Sequence, residues 1–244
     1  MSVFDGGGYI GYNSTYRHTA LVTDNLITHY DFGNGSYSGS GTTLTDLSGN
    51  GNNGTLQAAP TYSALEGGTF LLNGTSQYIS TTTSFVNPLA QTQCIWFKTT
   101  SAAGRKLCGL ENAQTGTGAT SYDRMIYVGT DGKVYAGVYD GAVRTAISNT
   151  TLNNNIWHHA VFTFTGTLCT LYIDGFPQTT TATSGTVGAF TGWYRIGSYA
   201  TTSWTNGASG YFSGTIGPFQ LYNRVLTSDE VSMNFNAGRI RFGV

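Results

Sequence analysis

The feature that most constrains this chain is the recurrence of short aromatic and β-branched runs, each closed after a few residues by a glycine-containing turn. Leu26-Ile27-Thr28-His29-Tyr30-Asp31-Phe32 ends at Gly33-Asn34-Gly35. Residues 125–128 and 134–138 flank Asp131-Gly132, and residues 160–164 lead through Thr165-Gly166 into 170–173, which stops at Asp174-Gly175. Residues 69–72, Asn73-Gly74 and residues 77–79 have the spacing of another hairpin. Residues 219–222 form the last clear run. Val, Thr and Tyr fit a pleated, half-buried surface, while Gly and Asn reach the positive-φ backbone that tight turns need. Many short strands without helical stretches between them predict an all-β antiparallel sandwich or barrel, read as one domain. One helix is signalled near the end. Thr227-Ser228-Asp229-Glu230 has the spacing of a capping box, and Gly238 is expected to stop the helix.

Composition matters first for partners. Only 9% of the 244 residues are charged, and the formal net charge is -1. Phosphate binding needs a clustered basic face, so 11 Lys and Arg argue against nucleic acid. Aromatic residues make up 14% of the chain, which excludes a disordered one. No apolar run approaches a membrane span, so no membrane insertion is expected. Met1-Ser2-Val3-Phe4-Asp5 lacks the basic start and apolar run of a signal peptide. Cys94, Cys108 and Cys169 are too few and too widely spaced for a disulfide framework or a zinc motif, and are expected as buried free thiols.

Three segments carry a family resemblance. Asp46-Leu47-Ser48-Gly49-Asn50-Gly51-Asn52-Asn53-Gly54-Thr55 resembles a loop near the start of laminin G-like jelly rolls. Trp157-His158-His159-Ala160-Val161 with Leu171-Tyr172-Ile173-Asp174-Gly175 resembles their central strand pair. Tyr211-Phe212-Ser213-Gly214-Thr215-Ile216, continuing to Leu221-Tyr222-Asn223-Arg224-Val225-Leu226-Thr227, resembles their closing strand and cap. The trio lies in the family's order over residues 25–238. The resemblance implies the concanavalin A-like lectin/glucanase fold, two curved antiparallel sheets in a jelly-roll sandwich with one short C-terminal helix. Residues 1–24 then form an N-terminal arm for docking, and 239–244 a C-terminal tail. Asn234-Phe235-Asn236-Ala237-Gly238-Arg239-Ile240-Arg241-Phe242-Gly243 and Gly6-Gly7-Gly8-Tyr9-Ile10-Gly11 resemble the ends of bacteriophage virion proteins. That implies a non-enzymatic virion structural protein, a capsid decoration or a tail- or fibre-associated part, assembled in the host cytoplasm. Its partners would be other virion proteins, sister copies and host-surface glycans. A soluble calcium-assisted carbohydrate-binding lectin and a glycoside hydrolase stand as alternatives.

Candidate sites follow from side-chain chemistry. Asp46, Ser48, Asn50 and Asn52 alternate as in the first half of an oxygen-ligand calcium loop. Gln57 stands where a bidentate carboxylate would close such a loop, and Gly217-Pro218 stands where related domains carry an acidic pair. The other reading of this segment is an Asx-turn loop that satisfies itself. Sugar binding needs aromatic faces with polar partners, and Trp193, Tyr194, Tyr199, Trp204 and Asn206 cluster in a polar stretch. The competing reading puts two of those aromatics in the core and the others on its rim. Tyr135 and Tyr139 are further candidates. His158 and His159 point to opposite faces of a strand, one expected packed and one exposed. Hydrolysis needs two facing carboxyl groups. Glu66, Glu111 and Glu230 lack the alternating acidic strand pattern of related hydrolases, although Asp123 and Asp140 could meet in space. No catalytic residue is assigned. Asn-x-Thr triplets such as Asn73-Gly74-Thr75 read as turn chemistry.

Overall fold

Alternation along the strands decides which side chains meet in the middle. In a computed structural model, which describes residues 20–184 and 186–244, seventeen strands precede one long helix. The strands are β1 (Leu26–Tyr30), β2 (Thr43–Leu44), β3 (Gly54–Gln57), β4 (Thr61–Ser63), β5 (Thr69–Asn73), β6 (Tyr78–Thr81), β7 (Phe85–Val86), β8 (Gln91–Lys98), β9 (Arg105–Glu111), β10 (Tyr122–Val128), β11 (Lys133–Tyr139), β12 (Val143–Thr151), β13 (His158–Phe164), β14 (Leu168–Ile173), β15 (Phe176–Ala182), β16 (Thr191–Ile196) and β17 (Ser213–Tyr222). The helix is α1 (Ser228–Phe242). One sheet runs β15-β14-β13-β8-β17-β5-β4, with β1 also on β17. The other runs β12-β11-β10-β9-β16-β6-β3-β2, with β7 on β16. Ile95, Phe97, Phe162, Leu171, Ile216 and Phe219 from the first sheet meet Leu110, Ile126, Val134 and Ile196 from the second in one core. The expected antiparallel sandwich is therefore present. Among the described residues, no helix is long and apolar enough to cross a membrane.

The Asp131-Gly132 and Thr165-Gly166 turns join paired strands, β10 to β11 and β13 to β14. Asn73-Gly74 does not. β5 pairs with β17 and β4, whereas β6 pairs with β16 and β3, so this turn is a corner that carries the chain from one sheet to the other. The Asn73 side-chain oxygen accepts from the N–H groups of Thr75, Ser76 and Gln77 at 2.9, 3.1 and 3.3 Å, donors that a hairpin would have used in its ladder. On the sandwich's open side, β15 is stitched to β12 by side chains. Thr179 accepts from Ile147 N–H and donates to Ile147 O (3.0 Å), Gln178 accepts from Asn149 N–H (3.0 Å), and Thr181 donates to Thr145 O (2.7 Å).

The capping box forms as expected. Thr227 accepts from Glu230 N–H at 3.3 Å, and Glu230 accepts from Thr227 N–H at 2.8 Å. The helix does not stop at Gly238. It continues to Phe242 and is capped by Gly243 at φ 71°, so residues 239–242 are its last turn rather than a tail. Gly238 serves contact instead, because a Cβ there would lie 2.8 Å from the Trp96 ring. Trp96 is sandwiched by Phe242 (4.5 Å), Phe235 (5.7 Å) and His159 (4.9 Å). This explains why β8 is buried on both faces. The core covers one side, and the helix covers the other.

The helix also corrects the reading of the histidines, since neither is exposed. His159 lies beneath the helix with no hydrogen-bond partner on either ring nitrogen among the described residues, and burial lowers its pKa to about 4. His158 is held between Asp174 (2.8 Å) and Asn154 (3.1 Å). The three thiols are buried and free. Most of the expected arm, residues 1–19, lies outside the described residues. Its end is anchored, because Val22 N–H donates to Asn234 (2.9 Å) and Val22 O accepts from Tyr222 (2.8 Å).

Candidate functional site

Asp123 and Arg124 form a charged pair inside an otherwise apolar strand, where regular alternation would have to bury one of them in the core. The backbone breaks step instead. The β10–β9 register shifts between Asp123 and Met125, and Arg124 takes φ 47°, a left-handed conformation unusual for a side chain of this size. Arg124 is thereby buried at the end of the sandwich, donating to Pro88 O (2.7 Å), Asn87 (2.6 Å) and Gly188 O (3.2 Å). Asp123 turns the same way. One carboxylate oxygen accepts from the N–H groups of Arg124 and Tyr139, the latter at 2.9 Å. The other has one long contact, 3.4 Å to Arg124. Burial pushes the Asp123 carboxyl up to about 6, against the pull of Arg124 and the two N–H groups. It is charged at neutral pH.

Asp123 forms part of the wall of a half-open cleft of about 460 Å³. Residues 120–123, 188–190 and 202–204, with Tyr139 and Val143, line it. Four are aromatic: Tyr122, Tyr139, Phe190 and Trp204. Four carry aliphatic hydroxyls: Thr120, Ser121, Thr202 and Ser203. Tyr139 is 48% exposed, and the Tyr122 hydroxyl donates to Thr202 O at 3.0 Å, tying two cleft segments together. Trp204 shows only 6% of its surface, since it packs with Met125, Tyr127 and Tyr135 on the face of the nine-stranded sheet turned away from the core. The floor beside the cleft is fixed by a buried charge cluster. Glu111 pairs with Lys106 and Arg195, both at 2.6 Å, and accepts from Ser198. Arg195 also donates to Gly116 O (2.8 Å), which fastens the segment leading into Thr120.

The five residues expected to bind sugar do not come together. Trp204 lines the cleft. Tyr194 lies on the opposite face of β16 from Trp193, in the core, where its hydroxyl donates to Gln91, so it offers nothing to a ligand. Trp193 is half-buried outside the cleft lining. Tyr199 packs against Tyr211 at 5.6 Å. Asn206 donates to Tyr135 (2.6 Å) and Asp131 (3.2 Å) at the adjoining hairpin. Of the two further tyrosines, Tyr139 lines the cleft and Tyr135 is stacked on Tyr127. Tyr122 and Phe190 were missed, and Asp123 entered the sequence reading only as an acid that could meet Asp140. The legible signal for them was the Asp-Arg pair interrupting β10.

The Asp46 loop holds itself. The Asp46 carboxylate accepts from His29 N–H (2.8 Å), Ser48 N–H (2.9 Å), the Ser48 hydroxyl (2.8 Å) and Asn52 N–H (2.9 Å). Asn50 and Asn52 aim amide donors at Leu26 O (3.0 Å) and Ile27 O (2.6 Å), fastening β1. Calcium takes about six to eight converging oxygens. These residues do not fit it, because the one carboxylate is filled by four donors and both amides turn N–H groups inward. Among the described residues, no cluster of three His, Cys, Asp or Glu side chains has metal-binding geometry.

For carboxylate chemistry, Asp123 is the one acidic residue in the cleft lining. Asp140 is bound to Arg144 at 3.0 Å and to Ser184 N–H at 2.6 Å. Glu66 pairs with Lys98, Glu111 is enclosed, and Glu230 caps the helix while pairing with Arg224 at 2.7 Å.

A family model described as the concanavalin A-like lectin/glucanases superfamily, laminin G type, matches residues 73–232. A comparison with curated protein sequences gives no match. Among solved structures, the binding domain of Paraclostridial Mosquitocidal Protein 1 superposes with TM-score 0.65 at 19% identity, covering 88% of this chain and 52% of that one. The receptor binding domain of botulinum neurotoxin C/D mosaic serotype does so with TM-score 0.63 at 13% identity, covering 88% and 51%. The chain thus spans about half the length of those toxin domains. Domain 4 of AbnA, an extracellular arabinanase of Geobacillus stearothermophilus solved with arabinotriose, gives TM-score 0.62 at 19% identity, covering 85% and 97%. At these identities the likeness is one of fold.

Proposed function

Because this chain belongs to the concanavalin A-like lectin/glucanase superfamily, we propose that it is a non-enzymatic binding domain whose cleft contacts surface glycans. The observation that carries this reading is the cleft itself, aromatic faces and hydroxyls gathered around one buried carboxylate. Sugar rings stack on aromatic side chains and exchange hydrogen bonds with hydroxyls and carboxylates. Glycoside hydrolysis uses an acid and a second carboxylate across the scissile bond. The cleft lining offers one carboxyl, which favours binding over turnover. The arabinanase domain that shares the fold was solved with a neutral oligosaccharide, and the toxin relatives are binding domains, both in keeping with a contact role.

The setting we propose is a bacteriophage virion, where the domain would serve as a capsid decoration or a tail- or fibre-associated part. Other virion proteins and sister copies would be its partners. The support for this setting is the resemblance of the chain's end segments to virion proteins, and purified particles carrying many copies are its expected sign.

A glycan array probed with the purified chain tests the contact role. Binding is expected, unchanged by chelator and without release of reducing sugar. Tyr139→Ala, at an exposed position, should weaken it about tenfold, the equivalent of one aromatic contact. The absence of any glycan signal, or a signal indifferent to Tyr139→Ala, defeats the proposal.

A further inference from the structure

The ionisable groups around the cleft are arranged asymmetrically. Asp123 is in the wall, and among the described residues no Lys, Arg or His lines the cavity. The nearby cations are held by protein acceptors. Arg124 faces Asp123 at 3.4 Å and turns its other donors to Pro88 O, Asn87 and Gly188 O, with its guanidinium 5.6 Å from the Phe190 ring centre. Lys106 is fully buried on Glu111, and Arg144 is held by Asp140. A ligand anion entering here would meet the Asp123 carboxylate first, because its partner Arg124 lies outside the lining with its donors occupied, in a site partly shielded from water where like charges repel more strongly than in bulk solvent.

The same wall suits a hydroxyl. The Asp123 oxygen not used by the two N–H groups has one long contact at 3.4 Å, which leaves acceptor capacity unused. The Ser121 and Ser203 hydroxyls have no partner among the described residues. Arg124 at φ 47° and Ser203 at φ 67° hold backbone conformations that side-chain-bearing residues rarely adopt, and such strain gathers at ligand sites.

We infer that the cleft selects uncharged, hydroxyl-rich glycosyl units and rejects acidic ones, those bearing uronate, sialyl or sulfate groups. The inference rests on the glycan-contact reading above and adds its charge class. Asp123 is the discriminating residue. It receives a donor from a neutral sugar and repels an anion, while the aromatic side chains contribute to both classes alike.

The test uses the full chain at pH 7.5 on an array of matched pairs: neutral oligosaccharides beside their uronate-containing, sialylated or sulfated counterparts. Neutral members should bind at least about tenfold more tightly than their acidic partners, a difference of about 1.4 kcal/mol. Asp123→Asn keeps an acceptor for the Arg124 and Tyr139 N–H groups and should shrink the gap to within about threefold. Thr202→Lys, at an exposed cleft position, should raise the affinity of acidic members about tenfold without disturbing the fold, so it decides the matter even if Asp123→Asn fails to fold. Acidic members binding as tightly as neutral ones, or a gap untouched by Asp123→Asn and Thr202→Lys, overturns the inference while leaving the contact role standing. No glycan binding of either class overturns both.

Discussion

Gly238 shows how one residue type can carry opposite meanings. By local rules a glycine near the end of a helical pattern is a stop signal. Here it is the one side chain small enough for the helix to lie on Trp96, with the missing Cβ 2.8 Å from the indole. Local propensity says that Gly→Ala inside a helix gains about 1 kcal/mol. Trp96 cannot yield, because Phe242, Phe235 and His159 pack against it. Gly238→Ala is therefore expected to destabilise by about 1–3 kcal/mol, the usual cost of overpacking. Urea denaturation should show the midpoint falling, and a variant more stable than the parent would refute the contact argument. Asp123 was legible as a carboxylate with a chemical option. Its burial and left-handed neighbour came only with the strand partners.

Among the elements, β12 and β15 are edge strands, one in each sheet, and unpaired edges invite pairing with other chains. Thr and Gln side chains occupy the backbone groups of β12 instead, from Thr145 to Asn149. Thr179→Val keeps the shape and removes both hydrogen bonds to Ile147. The expected cost is about 1 kcal/mol, with faster amide exchange at Ile147 and Asn149 than in the parent. Unchanged protection at both amides would mean the stitching is incidental. The hairpins at Asp131-Gly132 and Thr165-Gly166 could be read from sequence, because short turns with a glycine at positive φ match strand twist. The Asn73 corner could not, since the same dipeptide serves a turn within a sheet or a passage between sheets.

Across the whole molecule, two buried groups pull the pH dependence of stability in opposite directions. Burial lowers His159 from 6.5 to about 4, so as pH falls through that window the unfolded chain takes up a proton that the folded protein refuses, and stability is lost. Burial raises Asp123 from 3.8 to about 6, so the folded protein takes up its proton first, and stability is gained as pH falls through nearly the same window. Each effect is on the order of 3 kcal/mol. They offset each other, so the parent should lose over about pH 6.5 to 4.5 only what His29 contributes, its pKa being lowered by burial as well. Asp123→Asn removes the compensation, so that variant should lose most of His159's share over the same range. Equilibrium denaturation at stepped pH measures this. A variant profile as flat as the parent's would show that the two groups do not titrate against each other.

Sequence by itself determined eight of the seventeen strands, most of their turns, the helix cap and the family, because alternation, turn chemistry and capping act over a few neighbouring residues. It also supplied two of the cleft's four aromatic residues, Tyr139 and Trp204. Tertiary structure alone decided that Asp46 holds its own loop, that Tyr194 belongs to the core, and that residues near 121, 139, 189 and 203 share one cleft. The physical reason is that burial and partnership depend on which distant segments pack together, and no local pattern encodes that choice.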